Sequence, residues 1–339
     1  MILVTGGTGL VGSHLLYHLA LDNDRVRAIH MRSSDLNAVK KIFSYYSPQS
    51  EALFNKIRWV EADLNDIPAL EQAFNDITQV YHCAAMISFA SSEYQKMRRV
   101  NIEGTTNIVN FCISNHIEKL CFVSSIAAIE NHSEGIMIDE SDSWNNSIDK
   151  SGYAITKYGA EMEVWRASQE GVDVVIVNPG VILGPGFWHK GSGNMFSRVN
   201  KGLKFYTEGI TGFVGVEDVV RAMIRLMGSE ISNQRYILVS ENLSFEKIFS
   251  LISDSLHKEK AQIRVNKFMI QLFWRIEYLR SKITLSEPLL TKYSARSAVS
   301  NHPYTSKKII SGLPGFEFEN MKSCVQKIAI HFEKKFTLK

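Results

Sequence analysis

Tyr153 and Lys157 stand four residues apart in a stretch with helical periodicity, so a phenol and an ammonium project from one helix face. An unperturbed tyrosine ionises near pH ~10 and is a poor acid–base catalyst at neutrality, whereas a neighbouring ammonium favours the phenolate. Alone, this spacing is common and describes an exposed helix face as well as a catalytic one. Position adds meaning. The apolar run Leu120–Ser124 reads as a strand running into Ser125, and ligands in open α/β sheets bind outside the carboxyl ends of strands. A serine hydroxyl at that end can hold a carbonyl or alcohol oxygen beside the phenol, although strand-end serines also serve as turn formers.

A second chemical signal lies at Thr5-Gly6-Gly7-Thr8-Gly9-Leu10-Val11-Gly12, directly after an apolar run and at the opening of a helical pattern. Glycines at such spacing make a tight turn, admit backbone to a pyrophosphate and let helix pack on strand. The helix start then offers unpaired N–H groups and positive dipole to phosphates. An acid at the end of the second strand would select NAD by binding the ribose hydroxyls. His30-Met31-Arg32-Ser33-Ser34 holds none there. Arg32 and the serines suit a 2′-phosphate, which favours NADP over NAD; the competing reading makes Arg32 a solvated loop charge. Asp63-Leu64 follows the third strand and is placed to meet the adenine edge, although Asp63 can equally cap the next helix.

The elements that must position these groups follow from apolar periodicity. Strands are expected at Ile2–Thr5, Val26–His30, Ile57–Val60, Gln79–Cys83, Leu120–Ser124, Val174–Asn178 and Ile237–Val239. Helices are expected at Leu10–Leu21, Asp35–Tyr46, Ile67–Phe74, Glu93–Asn115, Ser151–Gln169 and Val216–Met227. Strands alternating with helices, several of them continuously apolar, describe an α/β fold: a Rossmann-type doubly wound parallel sheet. Residues 1–180 form its dinucleotide-binding domain, with 213–240 returning to it. Residues 181–212 and 241–339 form a smaller, mostly helical C-terminal substrate-binding part.

The chain has 339 residues, 45% of them hydrophobic, enough for a full-sized core. Its 38 basic and 35 acidic residues give a net charge of +3, which argues against a nucleic-acid partner. Four cysteines without a C-x-x-C pair read as buried thiols in a reducing compartment. Met1-Ile2-Leu3-Val4 already reads as a strand, and Phe268–Leu279 is short and interrupted by Arg275 and Glu277. A cytoplasmic protein with no membrane partner is expected. His14 and His18, four apart, have a metal-ligand spacing but read as surface or packing histidines, and no metal site is expected.

Taken together, these residues resemble the extended short-chain dehydrogenases/reductases over about the first 240 positions. The likeness is carried by Thr5–Gly12, Asp63-Leu64, His82-Cys83-Ala84-Ala85, Asn101-Ile102-Glu103-Gly104-Thr105 and Ser124-Ser125. Tyr153 with Lys157, and Asn178-Pro179-Gly180 followed by Gly184-Pro185-Gly186, complete it. The resemblance implies Tyr153 as acid/base, Lys157 as ribose ligand and phenol tuner, and Ser125, with Ser124 as fallback, as the hydroxyl orienting the substrate oxygen. It also implies cofactor contacts from Gly6, Thr8, Gly9, Leu10, Val11, Gly12, Arg32, Asp63 and Leu64. Further contacts are implied from Ala84, Ala85, Asn101, Pro179, Gly180 and Val181. Gly215 stands where such proteins usually carry Asp or His, and Arg32 lies one place later than the pattern has it.

Within that family two reactions compete. One is reduction of a carbonyl, or oxidation of the alcohol; the other is epimerisation or dehydration of a nucleotide sugar. Sugar-nucleotide enzymes typically carry an R-Y-F-N-V-Y-G-like run after the sixth strand. Ile176–Pro185 departs from it and is more similar to dihydroflavonol reductases and 3β-hydroxysteroid dehydrogenases, as are Pro288–Thr291 and Tyr304–Lys308 more weakly. Phe268, Phe273, Trp274 and Tyr278, near helical spacing, are expected to pack in a core, with one or two facing a cleft for an apolar small-molecule substrate. A non-catalytic dinucleotide-binding redox sensor is the third reading. Similar proteins pair through the helices expected at Glu93–Asn115 and Ser151–Gln169, which makes a homodimer an expectation.

Overall fold

The computed structural model describes residues 1–129, 135–145, 150–284 and 290–337. Pro288 and Leu289, part of the stretch singled out above, lie outside these. The strands are β1 (Ile2–Thr5), β2 (Val26–His30), β3 (Arg58–Glu61), β4 (Gln79–His82), β5 (Lys119–Val123) and β6 (Asp173–Pro179). They continue with β7 (Val181–Leu183), β8 (Phe205–Tyr206), β9 (Ile210–Gly215), β10 (Gln234–Leu238), β11 (Glu241–Ser244) and β12 (Ile263–Arg264).

Seven strands form one wholly parallel sheet in the order β10-β6-β5-β4-β1-β2-β3. Both faces are covered, which is why β5 is buried along its whole length and reads as an unbroken apolar run. Helices Leu10–Asp22, Leu36–Tyr46 and Val216–Met227 cover one face through Leu15, Leu16, Phe43, Val219 and Met223. Helices Ile67–Phe74, Gly104–Ser114 and Gly152–Gln169 cover the other through Leu70, Phe74, Ile108, Ala160 and Val164. This is the Rossmann-type doubly wound architecture. Strand order reverses between β1 and β4, and the crevice outside those strand ends is where such sheets hold ligands.

A smaller, mostly helical body follows. Helices Gly193–Asn200, Phe245–Ser255 and Met321–Thr337 pack around Trp188, Phe196, Phe213, Ile252 and Phe332. A three-stranded sheet, β11-β9-β7, joins it to the main one, with β7 following β6 after Gly180. A Cβ on Gly180 would lie 2.4 Å from the Gly212 carbonyl oxygen, so glycine permits this close crossing.

Three expectations differ from the structure. The segment 93–115 is not one regular helix: Tyr94–Arg98 is α, Arg99–Glu103 is a π turn and Gly104–Ser114 is α again. The wider turn brings Asn101 inward, where it hydrogen-bonds Met86 and Thr156. Apolar periodicity does not reveal such an inserted residue. Second, Phe268, Phe273 and Tyr278 are not core residues. They project from the helix Lys267–Thr284 and are exposed, and only Trp274 is partly packed, against the small cluster around Val265, Ile270 and Ala295.

Third, His14 and His18 form part of a polar cluster. His14 is buried, its Nδ1 meets Tyr46 Oη, and its Nε2 lies 3.1 Å from the Pro185 carbonyl. The Tyr46 hydroxyl donates to Glu217, whose other oxygen meets His18 Nε2 at 2.8 Å. The cluster ties the helix after the glycine turn to the Gly184–Gly186 loop and to the start of Val216–Met227. Among the described residues no group of three His, Cys, Asp or Glu side chains could hold a metal ion.

Candidate active site

The glycine turn is built as its spacing requires. Gly6 has φ +66°, and a Cβ there would lie 2.6 Å from the Ala84 amide nitrogen. The ends of β1 and β4 therefore touch, and Thr5 Oγ1 accepts the Ala84 N–H at 3.2 Å. A Cβ on Gly12 would lie 2.2 Å from the Gly6 carbonyl oxygen, so the first helix turn packs directly on the loop. Gly9 N-caps that helix and no side chain caps it. The amides of Leu10, Val11 and Gly12 thus open the helix toward the strand ends, a cradle that fits a dinucleotide pyrophosphate.

Beyond β2, Thr8 Oγ1 donates to Ser34 Oγ at 3.3 Å, which holds the turn 31–34 against the glycine loop. Arg32 is exposed on this turn. The nearest following acid, Asp35, accepts from the Asn37 and Ala38 amides and caps the next helix. Asp63 accepts the Asn65 N–H at 2.8 Å, and Asp66 rather than Asp63 caps the helix Ile67–Phe74. Leu64 is buried against Gly104. Asn101 is buried with both amide atoms engaged, so its side chain braces the loop after β4 rather than opening into the crevice. Pro179, Gly180 and Val181 lie where β6 passes into β7.

Ser151 N-caps the helix Gly152–Gln169 through its hydroxyl, and Tyr153 and Lys157 lie on that helix's first two turns. Tyr153 is half-buried, and its phenol lies by the Ser125 side chain, which favours the phenolate. The Ser125 oxygen accepts the Ala127 N–H at 3.1 Å, which leaves the serine proton for the phenol or a substrate oxygen. Ser124 faces the other way: it is buried, and its hydroxyl donates to Glu161 at 2.6 Å. Of the two serines, then, Ser125 is the one beside the phenol. The ring of Phe89, itself exposed, stands edge-on to Tyr153 with centroids 5.9 Å apart.

Lys157 is buried, donates to the Val123 carbonyl at 2.7 Å and lies over the Phe122 ring. Burial pushes its ammonium down to about 7, against an opposing pull from Glu161. Burial holds the Tyr153 phenol above its ordinary value, against a smaller lowering from the Ser125 side chain. The expected lowering of the phenol by Lys157 is therefore not a feature of this arrangement, because the ammonium is turned to the strand carbonyl. His82, on β4, is pushed down to about 3 by burial and bridges Thr5 and Thr105 as a neutral ring.

Glu161, four residues beyond Lys157, is fully buried and went unnoticed in the sequence. Its carboxylate accepts from Ser124, from Asn178 at 2.9 Å and from Arg235 at 3.2 Å. Arg235 also donates to the Glu140 and Asp142 carbonyls, so one cluster joins β5, β6, β10 and the catalytic helix. The signal was the series 153, 157, 161 on a face otherwise filled by Thr156, Ala160 and Val164.

Residues 2–238 match the model of the NAD-dependent epimerase/dehydratase family. The chain belongs to that family. Its relatives include the "Putative dihydroflavonol 4-reductase" of Synechocystis, 31% identical over 260 residues, covering 74% of this chain and 71% of that protein. In structure it is similar to gox2253, with TM-score 0.81, 23% identity and 99% and 98% of the two chains covered. It is also similar to a UDP-glucose 4-epimerase of Thermotoga maritima, with TM-score 0.78, 20% identity and 99% of each chain covered. This family member is an NAD(P)-dependent oxidoreductase of the extended short-chain type, and its relatives act on small molecules. No described helix is long and apolar enough to cross a membrane.

Proposed function

We propose that this enzyme reduces a carbonyl of a small, partly apolar molecule, or oxidises the matching alcohol, with NADP as preferred cofactor. The observation that carries the substrate class is the state of Asn178. It is fully buried, and its amide donates to Glu161 and to the Ser125 carbonyl at 3.1 Å, so it is withdrawn from any diphosphate. The residues that follow into β7, Val181-Ile182-Leu183, are apolar and offer a diphosphate no polar side chain. Phe89 beside the phenol adds an apolar wall nearer the chemistry than the exposed aromatics of the helix Lys267–Thr284.

In this reading the glycine turn and the amides of Leu10, Val11 and Gly12 would hold the cofactor pyrophosphate, and the bound cofactor would supply or take the hydride. Ser125 holds the substrate oxygen, and the Tyr153 phenol gives that oxygen its proton in reduction and takes it in oxidation. Lys157 holds the cofactor ribose and places a positive charge under the site. The NADP preference rests on exposed Arg32 and on the engagement of Asp35 as a cap, which leaves no carboxylate facing the ribose from 30–35. Residues 1–180 with 213–240 serve the cofactor, and 181–212 with 241–339 the substrate. Ile155 and Met162, both partly exposed and seven apart on the catalytic helix, support a homodimer through that face.

The test is hydride transfer from NADPH and NADH across a panel of aromatic, aliphatic and steroid carbonyls, with product identification. UDP- and dTDP-sugars run alongside. Stoichiometric NADPH consumption with alcohol formation is expected. Turnover of a nucleotide sugar without net consumption would replace this reading with the epimerase one.

A further inference from the structure

The helix Lys267–Thr284 carries an unusual surface. Phe268 is 79% exposed, Leu279 62%, Ile276 54% and Leu272 48%. At 100° per residue these four share one face, and they form a continuous apolar stripe. Phe205 of β8 extends it: its ring meets Phe273 with centroids 6.5 Å apart, and it is itself exposed. Ile263, in register with Phe205 across the β8–β12 pair, is exposed as well. The opposite side of the helix is anchored through Ile270 and Trp274, so the stripe faces outward.

Charge gathers at the same place. Residues 258–284 hold seven lysines and arginines against two glutamates, and the other 312 residues hold 31 basic and 33 acidic ones. This segment thus carries a formal charge of +5 on a chain that is otherwise slightly negative, and +3 once Asp254 and Glu208, the partners of Lys260 and Arg264, are counted. Arg275 and Arg280 flank the stripe on either side, Arg275 stacked over Trp274 and Arg280 paired with Glu277. Arg264 pairs with Glu208 at its strand end.

We propose that this face docks on an anionic lipid surface, with the helix lying in the plane of the headgroups. An apolar stripe bordered by cations is what such a surface recognises: side chains enter the acyl boundary while the guanidinium groups remain at the phosphates. A second copy fits less well. An isologous contact would set the same basic patch against itself, and a hydrophobic stripe does not neutralise that repulsion. The helix does not cross the bilayer; it is too polar on its other faces and carries its cations along the border. The sequence alone suggests no membrane partner because Phe268–Leu279 is too short, and too interrupted by Arg275 and Glu277, to span a bilayer; lying on its surface requires neither length nor continuity.

Co-sedimentation of the full chain with vesicles tests this. Vesicles of phosphatidylcholine alone are compared with vesicles holding about 30% phosphatidylglycerol, near 0.1 M salt. The protein is expected to bind the anionic vesicles at least ~10-fold better, and to lose most of that binding at about 0.5 M salt. The triple variant Phe268→Ser/Leu272→Ser/Leu279→Ser is expected to lose binding ~10-fold while keeping its thermal midpoint. Arg275→Gln/Arg280→Gln is expected to weaken binding and flatten the salt dependence. Absence of binding to both vesicle types overturns the proposal. So does an oligomer that the triple variant dissolves without any lipid effect, which would assign the face to copies of this chain.

Discussion

The Val123 carbonyl accepts the Lys157 ammonium at 2.7 Å, and the two residues after Val123 reach the same helix. Ser124 donates to Glu161, and the Ser125 side chain lies by the Tyr153 phenol. Three consecutive residues at the end of β5 thus meet three helix residues spaced by four, 153, 157 and 161, which lie along one face. The strand end and the helix register fix each other, and the phenol, ammonium and carboxylate are placed together.

If the proton moves through that phenol, Tyr153→Phe removes the step and little else. The variant keeps the ring against Phe89 and loses only the phenol hydroxyl beside Ser125. A kcat reduced by ~10²–10⁴ with an unchanged cofactor KM is expected from steady-state kinetics. Activity retained within a few-fold of the native enzyme would mean that another group carries the proton.

Cofactor choice turns on Arg32. It is exposed, so Arg32→Glu leaves the fold intact and puts a carboxylate where a 2′-phosphate would sit. A lost guanidinium–phosphate pair raises the NADPH KM by ~10–100-fold, while the NADH KM moves little or improves. An unchanged ratio of the two constants would remove the basis for NADP selectivity.

Much of this was readable in the chain, for a physical reason. Parallel strands buried on both faces are nearly continuous apolar runs, so β1, β2, β5 and β6 are visible without knowing their partners. Glycines at 6 and 12 are demanded by local backbone contacts, which lie within seven residues or at the adjoining strand end. Glu161 was not visible, because its partners Ser124, Asn178 and Arg235 are 37, 17 and 74 residues away. Periodicity tells which residues share a face; it does not tell what that face meets. The same gap hid Phe89 beside Tyr153, and it made the stripe Phe268–Leu279 look like core.

Lys157 links stability to pH. Its value in the folded chain is about 7, below the ordinary 10.5, because burial disfavours the charged form. Between those values the unfolded chain holds the extra proton, so this group makes stability rise with pH, by an amount of order a few kcal/mol over the window. Below about 7 the full penalty of the buried ammonium is present. Denaturant midpoints of the cofactor-free chain at pH 7.0 to 8.5 are expected to rise more steeply than those of Lys157→Met, in which other titrating groups are unchanged. Equal slopes would show that Lys157 stays protonated throughout.

Glu161 should govern that same ammonium. Its negative charge is the leading pull that holds the Lys157 proton on against burial, so Glu161→Gln lowers the lysine further. If the charged lysine is the working form, the alkaline limb of kcat moves to lower pH, by about one unit. The variant also leaves Arg235 without its buried partner and destabilises the chain by about 3 kcal/mol. Arg235→Met separates the two effects. It breaks the same ion pair and loosens the Glu140 and Asp142 carbonyls, yet keeps the carboxylate and removes a cation. Comparable destabilisation with no downward shift of the limb is therefore expected. A downward shift of equal size in both variants would reduce Glu161 to a brace for the fold, without influence on the lysine. With the two limbs separated, the carboxylate is a positioning residue that acts through Lys157, and the i+8 place after Tyr153 becomes part of the machinery rather than its scaffold.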